Sequence, residues 1–335
     1  MTTVTLAHGA GGRASDDLLR RVILPALGTS TERALCDSAV FDSPGGRIAF
    51  TTDGFTVTPL FFPGSSIGRL AVFGTVNDLA MAGAIPHALS LAMVAEEGLA
   101  MNVMRRVLED VGAASAEAGV RIVTGDTKVV GRGAVDKLFL TTSGIGVIGP
   151  GTPPLSPERA RPGDAILVSG TVGDHGVAVL AARENLSFSP TVESDCAPLA
   201  DLVQRLLAAA PGTRCLRDPT RGGIAATLNE FAHGSRAGIE VDEDTIPIRR
   251  PVRALCEILG LDPLYLANEG KLVAVVDALQ ADAALAALRC HPQGAEACIL
   301  GRMTADHPGT VVIRTELGTH RIVEYPTGEL LPRIC

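Results

Sequence analysis

Short apolar runs broken by turn residues give way to helical spacing early in the chain. Within residues 34–62, Arg47–Thr52 and Thr56–Leu60 read as short β-strands. Ile67–Gly83 then reads as a helix, as does Met101–Ala118, where apolar residues recur at helical spacing. Strands are predicted at Arg121–Thr124 and Lys137–Ile148. The pattern stops at Gly149-Pro150-Gly151-Thr152-Pro153-Pro154, with Pro157 and Pro162 beyond, and this is the best domain boundary. A second unit opens with a strand at Asp164–Ser169, a glycine turn and a helix at His175–Arg183. Further helices are predicted near Pro198–Ala209, Gly222–His233, Pro251–Leu259 and Ala281–Cys290. Strands are predicted near Leu272–Val276 and Ala297–Gly301, and a hairpin over Val311–Thr315 and Thr319–Glu324. The expectation is a mixed α/β (α+β) chain of two domains, 1–150 and 151–325, followed by a tail at 326–335.

The chain's 335 residues suit two domains of about 150–170 residues each. A net charge of −8, no Trp and few aromatics argue against a base-stacking or phosphate-backbone surface, so nucleic acid is not an expected partner. Seven cysteines without a Cys-x-x-Cys pair, and no basic segment followed by an apolar core at the N-terminus, point to reduced thiols in the cytoplasm. The most apolar long stretch, Leu70–Ile85, contains Asn77 and Asp78 and is too short to span a bilayer, so no membrane is expected. The seven histidines lack ligand spacing, which removes zinc. Only Lys128, Lys137 and Lys271 are lysines among 29 basic residues, which draws attention to Lys128 as a position needing a compact ammonium.

Three kinds of motif carry candidate chemistry. Gly144-Ile145-Gly146-Val147-Ile148-Gly149 has the spacing of a dinucleotide fingerprint, but a proline-rich linker follows where a helix must open, so it is rejected. His8-Gly9-Ala10-Gly11-Gly12 is either an anion-binding glycine loop or a loose terminus. Acidic residues fall at the ends of apolar strands: Asp37, Asp53 and Asp126, with Asn77 and Asp78 in an apolar helix. Several such carboxylates together suit Mg²⁺ and triphosphate oxygens. Asp218-Pro219-Thr220-Arg221-Gly222-Gly223 is either a phosphate-binding turn or an N-cap box. Glu269, before Gly270, is either a turn carboxylate or a catalytic base. The chain ends in Cys335, a thiol with chain on one side only, behind Leu330, Leu331, Pro332 and Ile334.

In their order along the chain, His8–Gly12, Thr51-Thr52-Asp53-Gly54, Gly74-Thr75-Val76-Asn77-Asp78-Leu79-Ala80, Gly125-Asp126-Thr127-Lys128-Val129-Val130, Arg217–Gly223, Ala267-Asn268-Glu269-Gly270 and the terminal Pro332-Arg333-Ile334-Cys335 resemble the HypE family of hydrogenase maturation proteins. The Pro-Arg-Ile-Cys terminus separates that family from its wider superfamily of aminoimidazole ribonucleotide synthetase, selenophosphate synthetase and thiamine-monophosphate kinase. The resemblance implies an N-terminal domain that binds ATP and dimerises through a β-barrel, a C-terminal α/β domain and a flexible tail. It implies that Cys335 receives a carbamoyl group from HypF, that ATP-driven dehydration turns it into a thiocyanate, and that the cyanide passes to iron on a HypC–HypD complex. On this reading Asp53, Asp78, Asp126 and Asp218 hold Mg²⁺. His8, Gly11, Gly12, Asp37, Asn77, Thr127 and Arg221 contact ATP, and Lys128 and Glu269 act beside Cys335 in catalysis. Two other readings are a free-standing ATP-dependent synthetase or kinase of the same superfamily, and a thiol carrier or metal chaperone using the tail alone.

Overall fold

The computed structural model describes residues 5–9, 12–27, 36–186, 189–315, 317–328, 331 and 333–335. A short helix α1 (Arg13–Leu18) continues through a wider turn into α2 (Leu24–Ala26). The first sheet is built from β1 (Ala39–Ser43), β2 (Gly46–Phe55), β5 (Ala84–Glu96), β6 (Arg121–Val130) and β7 (Leu138–Ile148) in the order β1-β2-β7-β5-β6. Only the β5–β6 pair is parallel. A two-residue hairpin, β3 (Phe61–Phe62) and β4 (Ser65–Ser66), leads into α3 (Ile67–Met81), and α4 (Met101–Glu117) packs beside it. Ser66 caps α3 by accepting from the Arg69 N–H. Helix α3 is buried on nearly every side, which is why its sequence is apolar all round rather than striped.

The second sheet has the order β14-β13-β10-β12-β8-β11-β9, from β8 (Ala165–Val168), β9 (Thr213–Arg217), β10 (Gly238–Asp242), β11 (Val273–Val276), β12 (Cys298–Thr304), β13 (Val311–Arg314) and β14 (His320–Ile322). Its pairs are antiparallel except β10–β13. The helices are α5 (Asp174–Arg183), α6 (Ala200–Ala209), α7 (Gly223–Ser235), α8 (Arg250–Leu259) and α9 (Ala281–Arg289). Ile166 and Val168 of β8 point into one core with Phe231 of α7, while Ala165 and Leu167 point into another with Leu202 and Leu206 of α6. A strand covered on both faces reads as an unbroken apolar run, as β8 does. Among the described residues no helix is long and apolar enough to cross a membrane.

The structure changes the sequence reading at three points. Thr56–Leu60 forms no strand of either sheet. Asp53 and Asp126 lie inside β2 and β6 rather than at their ends, because both strands continue to pair past the acidic residue. The long strand β5 is not legible in the sequence: Ala, Leu and Met favour helix, and neighbours on both edges override that preference. The rejected glycine fingerprint sits in β7, where a Cβ on Gly144 would come within 2.8 Å of Thr75 on α3, so this glycine serves helix–sheet packing.

Candidate active site

Four carboxylates converge where the first sheet, α3 and the end of β9 meet. Asp37, Asp78 and Asp218 each present an oxygen, and the three oxygens lie within 4.8 Å of one another. Asp53 joins them from β2 and shares a hydrogen bond with Asp78. Burial raises the proton affinity of all four, and repulsion from neighbouring carboxylates adds to it at Asp37, Asp78 and Asp218, while Arg221 and the bond to Asp78 oppose it at Asp53. Asp37 is pushed up to about 6 by burial despite the Arg217 guanidinium, 3.0 Å away. Asp78 goes well above the usual carboxylate range, through burial first and then the charges of Asp53, Asp218 and Asp37. Thr51 Oγ1 donates to Asp78 Oδ2 at 2.7 Å, and Ser38 Oγ to the Asp78 carbonyl at 2.8 Å. Arg217 is itself shared with Glu230 at 3.0 Å. A dry cluster of hard oxygens with this much self-repulsion suits a divalent cation.

The C-terminal thiol docks beside this pit. Cys335 lines a small cavity of about 200 Å³ with Gly54, Thr56, Arg221 and Ala267. Burial pushes its thiol up to about 12; Arg221 opposes the rise, while Glu269, Asp53 and Asp218 add to it. Ile334 is buried in the core of the first domain, so the last residues form part of the packing. Glu269 is 2 % exposed, and its Oε1 has no hydrogen-bond partner. Burial, then Asp218, Asp195 and Asp53, raise its pKa well above the usual value. A buried carboxylate of raised proton affinity, with an oxygen left unpartnered near the Cys335 sulfur, has the properties of a general base.

Arg221 is placed by the turn between β9 and α7. Gly222 and Gly223 have φ of 77° and 61°, and a Cβ on Gly223 would lie 2.5 Å from the Leu264 and Leu266 carbonyls. The helix is capped by Gly222 with no side-chain hydrogen bond, so neither Asp218 nor Thr220 acts as an N-cap.

Both halves of the chain match family models: AIR synthase related protein, N-terminal domain, over residues 36–148, and the C-terminal domain of the same family over residues 161–314. A carbamoyl dehydratase HypE from Rhodobacter capsulatus is 52 % identical over 335 residues, covering 99 % of this chain and 98 % of that protein. The chain belongs to the carbamoyl dehydratase HypE family. The fold agrees: the crystal structure of a HypE–HypF complex matches with a TM-score of 0.87 at 45 % identity, over 92 % of this chain and 99 % of that one. HypE crystallised in complex with ATP matches with a TM-score of 0.84 at 48 % identity, over 99 % and 100 % of the two chains.

Against this HypE frame the sequence-predicted residues divide. Asp37, Asp53, Asp78, Asp218, Arg221, Glu269 and Cys335 come together. Asp126, Thr127 and Lys128 do not join them within one chain. Asp126 pairs with Ala92, Ala92 with Thr141 and Thr141 with Gly54, so three strand spacings, about 14 Å, separate it from the Asp53 region. Lys128 is exposed and pairs with Asp126 at 2.7 Å. The reading of Asn77 as a phosphate contact is corrected. Its side chain is fully buried, donating to the Ala197 and Glu269 carbonyls and accepting from the Leu199 N–H, which leaves nothing for a nucleotide. His8 bonds locally through Nδ1 to the Thr5 N–H at 2.9 Å. Gly12 packs on Pro326, and Arg221 reaches the Gly9 carbonyl at 3.3 Å, which ties this loop to the site. Gly11 lies outside the described residues. The sequence reading quotes Arg217 and Thr51 only as motif members and gives them no role; Arg217 stands next to Asp218, and Thr51 two residues before Asp53.

Proposed function

We propose that this chain is an ATP-dependent carbamoyl dehydratase acting on a group carried by its own C-terminal cysteine. The observation that carries the reading is the docked Cys335, in a cavity shared with Arg221 and next to both the carboxylate pit and Glu269. A volume of about 200 Å³ suits a carbamoyl group and is below the usual range for a free small-molecule substrate, which counts against the synthetase or kinase alternative.

In this reading residues 1–150 bind ATP and pair with a second copy, 151–325 form the second domain, and 326–335 are the carrier tail. The thiol takes its carbamoyl group from HypF with the tail out, because a docked sulfur held as a neutral thiol is a poor nucleophile. With the tail docked, the carbamoyl oxygen attacks the γ-phosphate of ATP, ADP leaves, and a nitrogen proton departs. The O-phosphorylated imidate then loses its second nitrogen proton and inorganic phosphate, leaving S–C≡N; the net change on the protein is one water. Glu269 takes the nitrogen proton, and Arg221 balances charge on the transferring phosphoryl group. Asp53, Asp78 and Asp218, with Asp37, would hold Mg²⁺, which supplies charge neutralisation for the triphosphate. Asp126, Thr127 and Lys128 reach such a site only from a second chain, so their roles require the homodimer. The thiocyanate is then delivered to the HypC–HypD complex.

The test is intact-mass analysis of carbamoylated protein before and after ATP. Loss of one water confined to the C-terminal peptide is expected, with no loading at all in Cys335→Ala. Glu269→Gln should load normally and bind ATP normally but dehydrate at least about a hundredfold more slowly, the usual scale for a missing base. Dehydration of Glu269→Gln at the wild-type rate returns that residue to a turn carboxylate.

A further inference from the structure

The docked tail is held by a set of contacts that the dehydration chemistry does not use. Thr56 N–H donates to a terminal carboxylate oxygen of Cys335 at 3.0 Å, and Thr58 N–H to the Arg333 carbonyl at 3.4 Å. Arg183 Nη2 donates to the same Arg333 carbonyl at 2.8 Å. The Arg333 side chain donates to the Thr56 carbonyl at 2.8 Å and pairs with Asp136 at 2.6 Å. Between these, the Ile334 carbonyl faces His175 Nε2 at 2.9 Å. His175 is completely buried, edge-on to Phe62 with ring centroids 5.5 Å apart.

The tautomer of His175 follows from the Ile334 carbonyl, which can only accept, and Ser194 is compatible with it. Ser194 Oγ already accepts from the Cys196 N–H at 3.2 Å, and its own hydrogen is free for His175 Nδ1, 2.9 Å away. With Nδ1 accepting, the proton sits on Nε2 and is donated to the Ile334 carbonyl. The opposite tautomer would set a bare nitrogen against a carbonyl oxygen. Arg333 meanwhile holds φ at 51°, a backbone state costly for a side chain with a Cβ and kept only where surroundings over-determine it. The docked tail is therefore strained at Arg333 and fastened at the next residue, the arrangement of a catch that opens when one fastening is lost.

We propose that His175, oriented by Ser194, is the positioning residue that latches the carrier tail in its docked state, so that removing it uncouples loading of Cys335 from dehydration. This rests on the reading of Cys335 as the carrier. A buried Ile334 carbonyl left without its donor should lower the docked population on the order of tenfold.

Two rates report the latch. The first is alkylation of Cys335 by a maleimide, followed on the C-terminal peptide by mass, which needs neither ATP nor a carbamoyl donor. The second is single-turnover dehydration at saturating ATP. In His175→Ala, alkylation should rise and dehydration should fall, each by about tenfold, with loading no slower than in the wild type and ATP affinity unchanged. His175→Gln keeps an N–H donor toward Ile334 and should recover most of both rates. Ser194→Ala leaves His175 Nδ1 without a donor, loosens the ring and should raise alkylation about threefold. Wild-type values of both rates in His175→Ala overturn the latch. So does a defect shared equally by His175→Gln with alkylation unchanged, which marks packing under Phe62 alone. If His175→Ala does not fold, unchanged alkylation in both Ser194→Ala and His175→Gln overturns it equally. Failure of the wild type to dehydrate overturns the carrier reading instead, while the alkylation arm still decides whether His175 holds the tail.

Discussion

At the scale of single residues, the aspartates and Asn77 part company although they share sequence neighbourhoods. Asp78 and Asn77 are adjacent on α3, yet one turn of side-chain direction sends Asp78 into the acidic pit and Asn77 into the backbone of residues 197–199 and 269. Both are polar interruptions in an apolar helix, and the sequence assigns them one role. Replacing Asn77 with Leu should remove three buried hydrogen bonds and leave their backbone partners unpaired. The expected loss is about 2–4 kcal/mol of unfolding free energy, with ATP affinity of the folded protein unchanged. Urea unfolding and calorimetry check the two halves separately, and a stable variant that no longer binds ATP would restore the phosphate-contact role. Cys335 was legible for a different reason. A terminal thiol has no partner on one side, and its composition of apolar neighbours already implied a docking site.

At the scale of elements, the first sheet leaves one face uncovered. Along β7 the side chains alternate, with Leu138, Leu140 and Ile148 inward against α3 and α4, while Ile145 and Val147 face outward. Phe50 is the cross-strand partner of Ile145, and Ile85 that of Val147. All four are at least 40 % exposed, a contiguous apolar patch of the kind a partner covers. Strand β6 closes this sheet with an unpaired edge and two more exposed valines, Val123 and Val129. In the homodimer proposed above, a second copy of the chain would cover both features. Ile145→Asp should therefore weaken self-association by about 3 kcal/mol or more, the scale of a central interface residue. Light scattering at micromolar concentration should give a dimer for the wild type and a monomer for the variant. An unchanged mass for Ile145→Asp would move the interface elsewhere. Helix α3 was legible as a long apolar run, while α4 could be read from its periodicity and the hairpin of β13 and β14 from its Leu317-Gly318 turn. Strand β5 could not, because its residues prefer helix and only pairing on both edges makes it a strand.

At the scale of the whole molecule, the acidic pit is a stability cost borne by the fold. A carboxylate whose folded-state pKa lies above its unfolded value favours folding fully below the unfolded pKa, and that contribution is lost as pH rises through the folded value. For Asp37 the window runs from about 4 to about 6, and for Asp78 and Asp218 it extends higher. Buried His175, whose burial lowers its pKa, acts in the opposite sense as pH falls through about 6.5, so the pit is read as a difference between variants. Asp78→Asn should be more stable than the metal-free wild type at pH 8 by about 1–3 kcal/mol, with the margin shrinking toward pH 6. Millimolar Mg²⁺ should raise the wild-type midpoint and leave the variant's nearly unmoved. A margin independent of pH would remove Asp78 from the charged cluster.

The sequence by itself determined the two-domain α/β plan, the terminal cysteine, the family and most members of the acidic pit. Those follow from local signals: periodicity, a proline-rich break and short motifs whose residue types are set by chemistry. Which polar residue faces the pit, that Asp53 and Asp126 lie inside strands, and that Asp126 and Lys128 stand three strands away were decided by tertiary structure alone. So was the seat of the tail, where residues 56–58, His175, Ser194 and Arg183 meet three residues from the far end of the chain. No window of sequence contains both partners of such a contact. Side-chain direction and strand register are fixed only when distant segments compete for the same buried space.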